Sequence, residues 1–260
     1  MRHELRLFFV ALQFFTRVPV PRWVGHEPQW LNASARHFPA VGLFVGGVAA
    51  LAWWGGRQLF PAGVAAWLAL AATVWLTGAF HEDGFADTCD GLGGAVGRER
   101  ALEIMKDSRI GSYGAVGLVL LFGLKASALA ALPGAWGIGA LLFAHTTSRT
   151  VAVALLRFLP YAGDVAQAKA KPLAQAIVPA GFIVACAWSV AVGVALTLFR
   201  EGVWVAAVVA SVAVAALSTL GCARWFQRRL GGFTGDTLGA AQQISECLTL
   251  LAWLAASRWT

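Results

Sequence analysis

Long apolar runs separated by short polar ones dominate the chain, and several of them stop at proline or glycine. A helix needs roughly 20 apolar residues to cross the hydrocarbon core of a bilayer. Runs at residues 38–60, 62–80, 114–132, 135–159, 176–199 and 203–221 meet that need. Pro61 parts the first two, Pro133-Gly134 ends the third and Pro160 ends the fourth. A seventh run at 238–256 is interrupted by Gln242, Gln243 and Glu246. Near the N-terminus the short run 4–16 has no small-residue cleavage site after it, so it reads as a retained helix in the interface rather than a signal peptide. The pattern predicts an all-α, polytopic transmembrane helix bundle of about six to seven spans, one integral membrane domain over 1–260. The polar stretch 161–175 reads as a connector.

Composition agrees. The chain is 58% hydrophobic and 13% charged, against about a quarter charged in a typical soluble domain. Its mean hydropathy is +0.68. The net charge of +7 does not read as nucleic-acid binding, because the Lys and Arg residues sit between apolar runs. Arg17, Arg22 and Arg36 precede the first span; Arg98, Arg100, Lys106 and Arg109 follow the second. Arg157, Lys169 and Lys171 follow the fourth, and Arg224, Arg228 and Arg229 the sixth, while alternate loops hold only Arg57 and Arg200. The positive-inside rule puts the basic loops in the cytoplasm. The expected setting is a bacterial or archaeal inner membrane with the lipid bilayer as partner; a homo-oligomer stays open. Gly42, Gly46, Gly47, Gly117 and Gly123 would let helices pack closely. Cys89, Cys186, Cys222 and Cys247 form no metal or disulfide pattern.

The acids are spread unevenly. Of 13 in the chain, Glu82, Asp83, Asp87, Asp90, Glu99, Glu103 and Asp107 all fall between Phe80 and Ile110. Asp83, Asp87 and Asp90 follow i, i+4, i+7 spacing, which places them on one face of a helix. Like charges so placed repel, and a divalent cation resolves the conflict. Mg²⁺ takes carboxylate oxygens together with substrate phosphates. The alternative is a solvated acidic helix end, but no Lys or Arg lies between Glu82 and Gly97 to alternate the sign. Glu82 falls on another face and is a ligand only through a bend or a second ion. His81 is a base, a phosphate contact or a satisfied interfacial histidine.

Downstream, residues 91–97 form a glycine-rich turn that matches neither a Walker loop nor GxGxxG. Residues 98–106 read as a short surface helix. Lys106 and Arg109 flank Asp107 and could hold phosphate oxygens, with Asp107 joining a metal site or orienting Arg109. In 231–239, Asp236 is a remote ligand, a base for an attacking hydroxyl or a helix cap, and Thr234 could donate to phosphate. Lys125, His145 and Arg149 lie inside apolar spans, where ionisable groups are functional candidates. His145 and Arg149 share a face, and Lys125 lacks an identified acid partner.

Several of these segments together resemble the cobalamin synthase family. Residues 77–92 are similar to its acidic signature, 105–114 to a second block and 233–240 to a C-terminal block. The segments 14–21 and 38–42 resemble its N-terminal part, so the likeness runs the length of the chain. Phe80 and Phe85 stand where Leu-like residues are expected, and Glu82 at a position that varies. The resemblance implies an Mg²⁺-dependent phosphotransferase of the membrane that joins adenosylcobinamide-GDP to α-ribazole or its 5′-phosphate and releases GMP. It would complete the lower nucleotide loop of the corrinoid. Asp83, Asp87, Asp90 and Glu82 would then be the metal candidates, and Asp107, Asp236 and His81 the catalytic ones. Lys106, Arg109, Thr234 and Arg149 would bind substrate. A CDP-alcohol phosphotransferase shares this chemistry, but here Asp83-Gly precedes Phe-Ala-Asp with no Arg. No Asp-Asp pair suggests a polyprenyl transferase. A membrane transporter would hold its acids near the midplane in repeated halves, which this chain does not show.

Overall fold

The computed structural model describes residues 2–25, 27–163 and 174–259, and these are helical apart from turns and connectors. Lys169, Lys171 and most of the 161–175 connector lie outside the described residues. Helix α1 (Arg2–Phe15) buries Leu7, Ala11, Leu12 and Phe15, an i, i+4, i+8 stripe, against the bundle. Short helix α2 (Pro28–Ser34) and a 3-10 turn lead into α3 (Phe38–Leu59). Then follow α4 (Ala62–Thr77), α5 (Phe80–Gly93), α6 (Arg98–Ile104), α7 (Ser112–Ala131) and α8 (Gly134–Phe158). Three more complete the chain: α9 (Pro179–Phe199), α10 (Val205–Leu230) and α11 (Gly235–Ala256).

Among the described residues five helical stretches are long and apolar enough to cross a membrane: Gln29–Leu59, α7, α8, α9 and α10. The pair α4 and α5 passes the same test only together, bent by 92° as a broken span or a re-entrant loop. Leu51, Trp54, Trp75, Val119, Leu198 and Leu217 are among the large apolar side chains left exposed, as lipid-facing positions would be. The chain is therefore a multi-pass membrane protein.

Two expectations need correction here. The predicted span 62–80 ends early: Gly78 and Ala79 both adopt left-handed backbone (φ 67° and 59°), and the chain turns by 92° between α4 and α5. At 16 residues α4 is too short to cross alone. The seventh run is a full helix, but too polar to count among the spans by hydropathy. Its polar face is turned inward, with Gln242, Gln243 and Glu246 all buried.

The axis of the bundle is α8 with α11. Helix α8 packs on α3, α9, α10 and α11, and α11 packs on α5, α7, α8 and α10. Gly42 and Gly46 permit the approach of α3 to α8, since a Cβ would lie 2.1 Å from His145 O and 2.8 Å from Leu141 O respectively. Gly47 and Gly123, by contrast, have nothing within 4 Å of a notional Cβ and take no part in packing. One end of the bundle is closed by Trp136, Trp204 and Trp253, whose ring centroids lie 5.2–5.9 Å apart. At the other end the Arg98 guanidinium donates to Leu230 O (2.7 Å) and Ala162 O (3.1 Å). One side chain thus ties together the connections after the second, fourth and sixth predicted spans, the grouping that the basic residues required.

Candidate active site

The acidic segment is a helix, as the spacing of its Asp residues predicts. Its axis breaks from α4 at the left-handed pair, so α5 lies across the Arg98 end of the bundle under the N-terminus of α11. Gly84 sits at the crossing: a Cβ there would come within 3.0 Å of Asp236 Cα and Asp236 O. Asp83 and Asp87 lie roughly 100° and 60° round the helix from that glycine, to one side of the contact with the first turn of α11. Asp83 is exposed and Asp87 half-buried.

The other two metal candidates are differently engaged. Asp90 Oδ2 accepts from Gly111 N–H (2.7 Å) and Oδ1 from Gly114 N–H (2.8 Å), so this carboxylate caps the start of α7. Glu82 is turned into the protein, where Oε1 accepts from Gln243 Nε2 at 3.0 Å. Among the described residues no group of three or more His, Cys, Asp or Glu stands close enough to hold a metal ion. The metal candidates not turned to the backbone of α7 or into the polar interior are Asp83 and Asp87, two carboxylates rather than a closed cage. That set still suits Mg²⁺, which keeps several waters and binds through one or two carboxylates plus substrate phosphates.

His81 is buried, its ring stacked on Phe15 (5.2 Å, 16°). Asp236 lies in the first turn of α11, where its charge suits the helix dipole. The cap is Thr234 instead: its Oγ1 accepts from Thr237 N–H (3.3 Å), while Thr237 Oγ1 accepts from Thr234 N–H (2.8 Å). Helix α6 stops at Ile104, and Lys106 is exposed just beyond it. Arg109 forks onto Asp107, Nη2 to Oδ2 at 2.6 Å and Nε to Oδ1 at 3.0 Å. Those contacts pull the Asp107 carboxyl down to about 2. This loop sits near the Asp90 end of α5, roughly 10 Å from Asp83 at 1.5 Å rise per residue.

The glycine-rich turn differs from expectation. Gly91 to Gly93 belong to α5, and only the segment after them is loop. Gly91 lies under α6, where a Cβ would meet Ala101 O at 2.9 Å. The loop's carbonyls are held by Arg229, which donates to Leu92 O (2.8 Å), Gly94 O (2.9 Å) and Val96 O (3.3 Å).

Behind the acid face lies a polar network that the sequence pattern did not reveal. Lys125 Nζ meets Glu246 Oε1 at 2.7 Å and also donates to Gln243 Oε1. His145 Nδ1 lies 2.9 Å from Glu246 Oε2, an ion-pair approach rather than an aligned hydrogen bond. Gln242 Nε2 donates to Glu246 Oε2 (2.6 Å) and Ser148 Oγ (3.0 Å). Through Gln243 the network reaches Glu82, so α7, α8 and α11 are linked to the acidic helix from inside. Arg149 donates from Nη1 to His145 O (2.9 Å) and lies 5.8 Å from the Phe15 ring. The available signal was the spacing of Gln242, Gln243 and Glu246, which share one helical face as Lys125 and His145 seek partners.

Fold and site together define a polytopic membrane protein with an acidic helix across one end of its bundle. The cobalamin-5-phosphate synthase family model matches residues 7–254, and the chain belongs to that family. It is 59% identical over 257 residues to an adenosylcobinamide-GDP ribazoletransferase of Leptothrix cholodnii, covering 97% of this chain and 96% of the relative. A protein of the same name from Shewanella amazonensis is 46% identical (97% and 96% covered), and one from Polaromonas naphthalenivorans 43% identical (95% and 96%). No solved structure matches the chain significantly.

Proposed function

We propose that this chain is an adenosylcobinamide-GDP ribazoletransferase, joining adenosylcobinamide-GDP to α-ribazole or its 5′-phosphate with release of GMP. Likeness along nearly the full length to relatives of that name supports the reading. The structural observation that supports it is the crossing of Gly84 with Asp236, which sets the acidic helix α5 against the first turn of α11.

In this reading the ribazole 3′-hydroxyl attacks the phosphorus nearest the corrinoid, and GMP departs with the bridging oxygen. Such transfers depend on positioning and on neutralising charge. Asp83 and Asp87 would hold Mg²⁺, which supplies neutralisation of the diphosphate and stabilisation of the leaving nucleotide. Asp236 accepts the hydroxyl proton or completes the coordination. Lys106 and Arg109 hold phosphate oxygens, Arg109 after exchanging Asp107 for substrate. Asp90 and Glu82 fix α5 instead of contacting metal. The basic loops support a cytoplasmic setting for this end, where nucleotide substrates are.

The test uses the full chain purified in detergent, with adenosylcobinamide-GDP, α-ribazole and Mg²⁺. GMP should appear only when all three are present, and Asp87→Asn should lose turnover at limiting Mg²⁺. Absence of GMP from folded protein sinks the assignment; full turnover by Asp87→Asn sinks the metal role alone.

A further inference from the structure

A narrow cleft opens beside the acid face, between α1, α3, α5, α8 and α11. Phe15, Phe38 and Phe80 form much of its wall, with His81, Arg149 and Gln242 as its polar members. Its free space is about 30 Å³, room for about two waters at 10–15 Å³ each. Two of these lining residues each carry a buried, unpartnered polar atom: Arg149 Nε, a donor, and Gln242 Oε1, an acceptor. Arg149 is only 2% and Gln242 only 1% exposed. The amide orientation of Gln242 is set by chemistry, because its other atom faces Glu246 Oε2 and must be the N–H₂. Gln242 also bonds Ser148, the residue before Arg149, so α8 and α11 meet at this level. Unsatisfied buried groups cost free energy and call for a partner. Here they ask for one acceptor and one donor, from something otherwise apolar. A phosphate offers only acceptors, and a hydrocarbon neither.

Resting on the proposed function, we infer that this cleft recognises an amide edge of the substrate, a carbonyl oxygen beside an N–H. The oxygen accepts from Arg149 Nε–H and the N–H donates to Gln242 Oε1. Two parts of the substrate carry that edge. One is the primary carboxamides on the rim of a cobinamide; the other is the lactam edge of guanine. A carboxamide is the smaller and suits a slot of two-water size, with the macrocycle resting on the phenylalanine mouth. The buried network then also serves recognition. Glu246 orients Gln242, and His145 O orients Arg149, so that the pair is set before substrate arrives.

The experiment measures equilibrium binding to the full chain in detergent, in two pairs of ligands. Cobinamide is compared with cobinamide whose rim amides are hydrolysed to carboxylates, and GMP with N1-methyl-GMP. A loss of about tenfold within the first pair assigns the slot to the carboxamide; the same loss within the second assigns it to guanine. In Arg149→Lys, which keeps the charge but lacks the Nε–H, the difference should shrink to under about threefold. Should that variant fold poorly, the unaltered protein labelled with ¹⁵N-arginine offers a second reading: the buried Nε–H resonance moves on binding the preferred ligand. Both pairs binding alike, a difference undiminished in Arg149→Lys, or no resonance shift would overturn the inference. The GMP-release assay is separate, so a protein that turns over but ignores these changes refutes only the amide slot.

Discussion

Lys125 on α7 and Glu246 on α11 meet at 2.7 Å in the interior of the bundle, with side chains only 2% and 3% exposed. Breaking one partner of a buried pair leaves an uncompensated charge, which costs about 3–5 kcal/mol. Lys125→Met should therefore lower stability by about that amount in detergent unfolding, the larger part from a buried Glu246 that has lost the cation on its Oε1. The double variant Lys125→Met/Glu246→Gln should recover more than half of the loss. Recovery of none would mean that the cost lies in packing rather than in charge.

Asp90 tests whether the acids of α5 share one role. Its two oxygens satisfy two backbone N–H groups at the start of α7, and hydrogen bonds to a charged group contribute about 1.5–3 kcal/mol. Asp90→Ala should destabilise by about 2 kcal/mol and leave the Mg²⁺ concentration for half-maximal turnover unchanged in the folded fraction. Asp87→Asn should do the reverse. A large shift in Mg²⁺ dependence for Asp90→Ala would return it to the metal set.

Much of the fold could be read from the chain because the signals are local. Pro61 and Pro133 directly precede α4 and α8, as a residue that starts but cannot continue a helix should. The bend before α5 was hidden because it sits at Gly78 and Ala79, and alanine gives no warning of a left-handed conformation. The partner of Lys125 was hidden by distance: Glu246 lies 121 positions away, and only the packing of α7 on α11 joins them. For the same reason the three polar residues of α11 read as a defect in a span instead of the core's matching half. The spacing of Asp83, Asp87 and Asp90 was legible, but not that Asp90 meets the backbone of α7.

Asp107 gives a pH-dependent signature. Its hydrogen bonds from Arg109 hold the carboxyl at about 2 against an ordinary value of 3.8. The depressed value means that the pairing is intact above about pH 4 and is lost as pH falls toward 2. Carbon-13 NMR of labelled protein should show the Asp107 midpoint near 2, and Arg109→Gln should return it toward 3.8. The pair is solvent-exposed, so Arg109→Gln should not move the unfolding midpoint appreciably. A wild-type midpoint at the ordinary value would show the fork to be absent in solution.

The contact of Gly84 with Asp236 lets position be separated from stability. A methyl group at residue 84 would sit 3.0 Å from Asp236 Cα and O, so α5 and α11 must part by a few tenths of an ångström. Overpacking by one methyl costs about 1–3 kcal/mol at worst, and the exchange of Gly for Ala returns about 0.5–1 kcal/mol in a helix interior. The net effect on unfolding should be small. Turnover is more sensitive, because a misplacement near 1 Å can cost about a hundredfold. Gly84→Ala should lower kcat by about tenfold while the protein stays folded. Gly47→Ala is the control: nothing lies within 4 Å of its notional Cβ, so stability should hold or rise and kcat stay unchanged. Equal turnover by Gly84→Ala and wild type would show that Asp236 does not act together with Asp83 and Asp87.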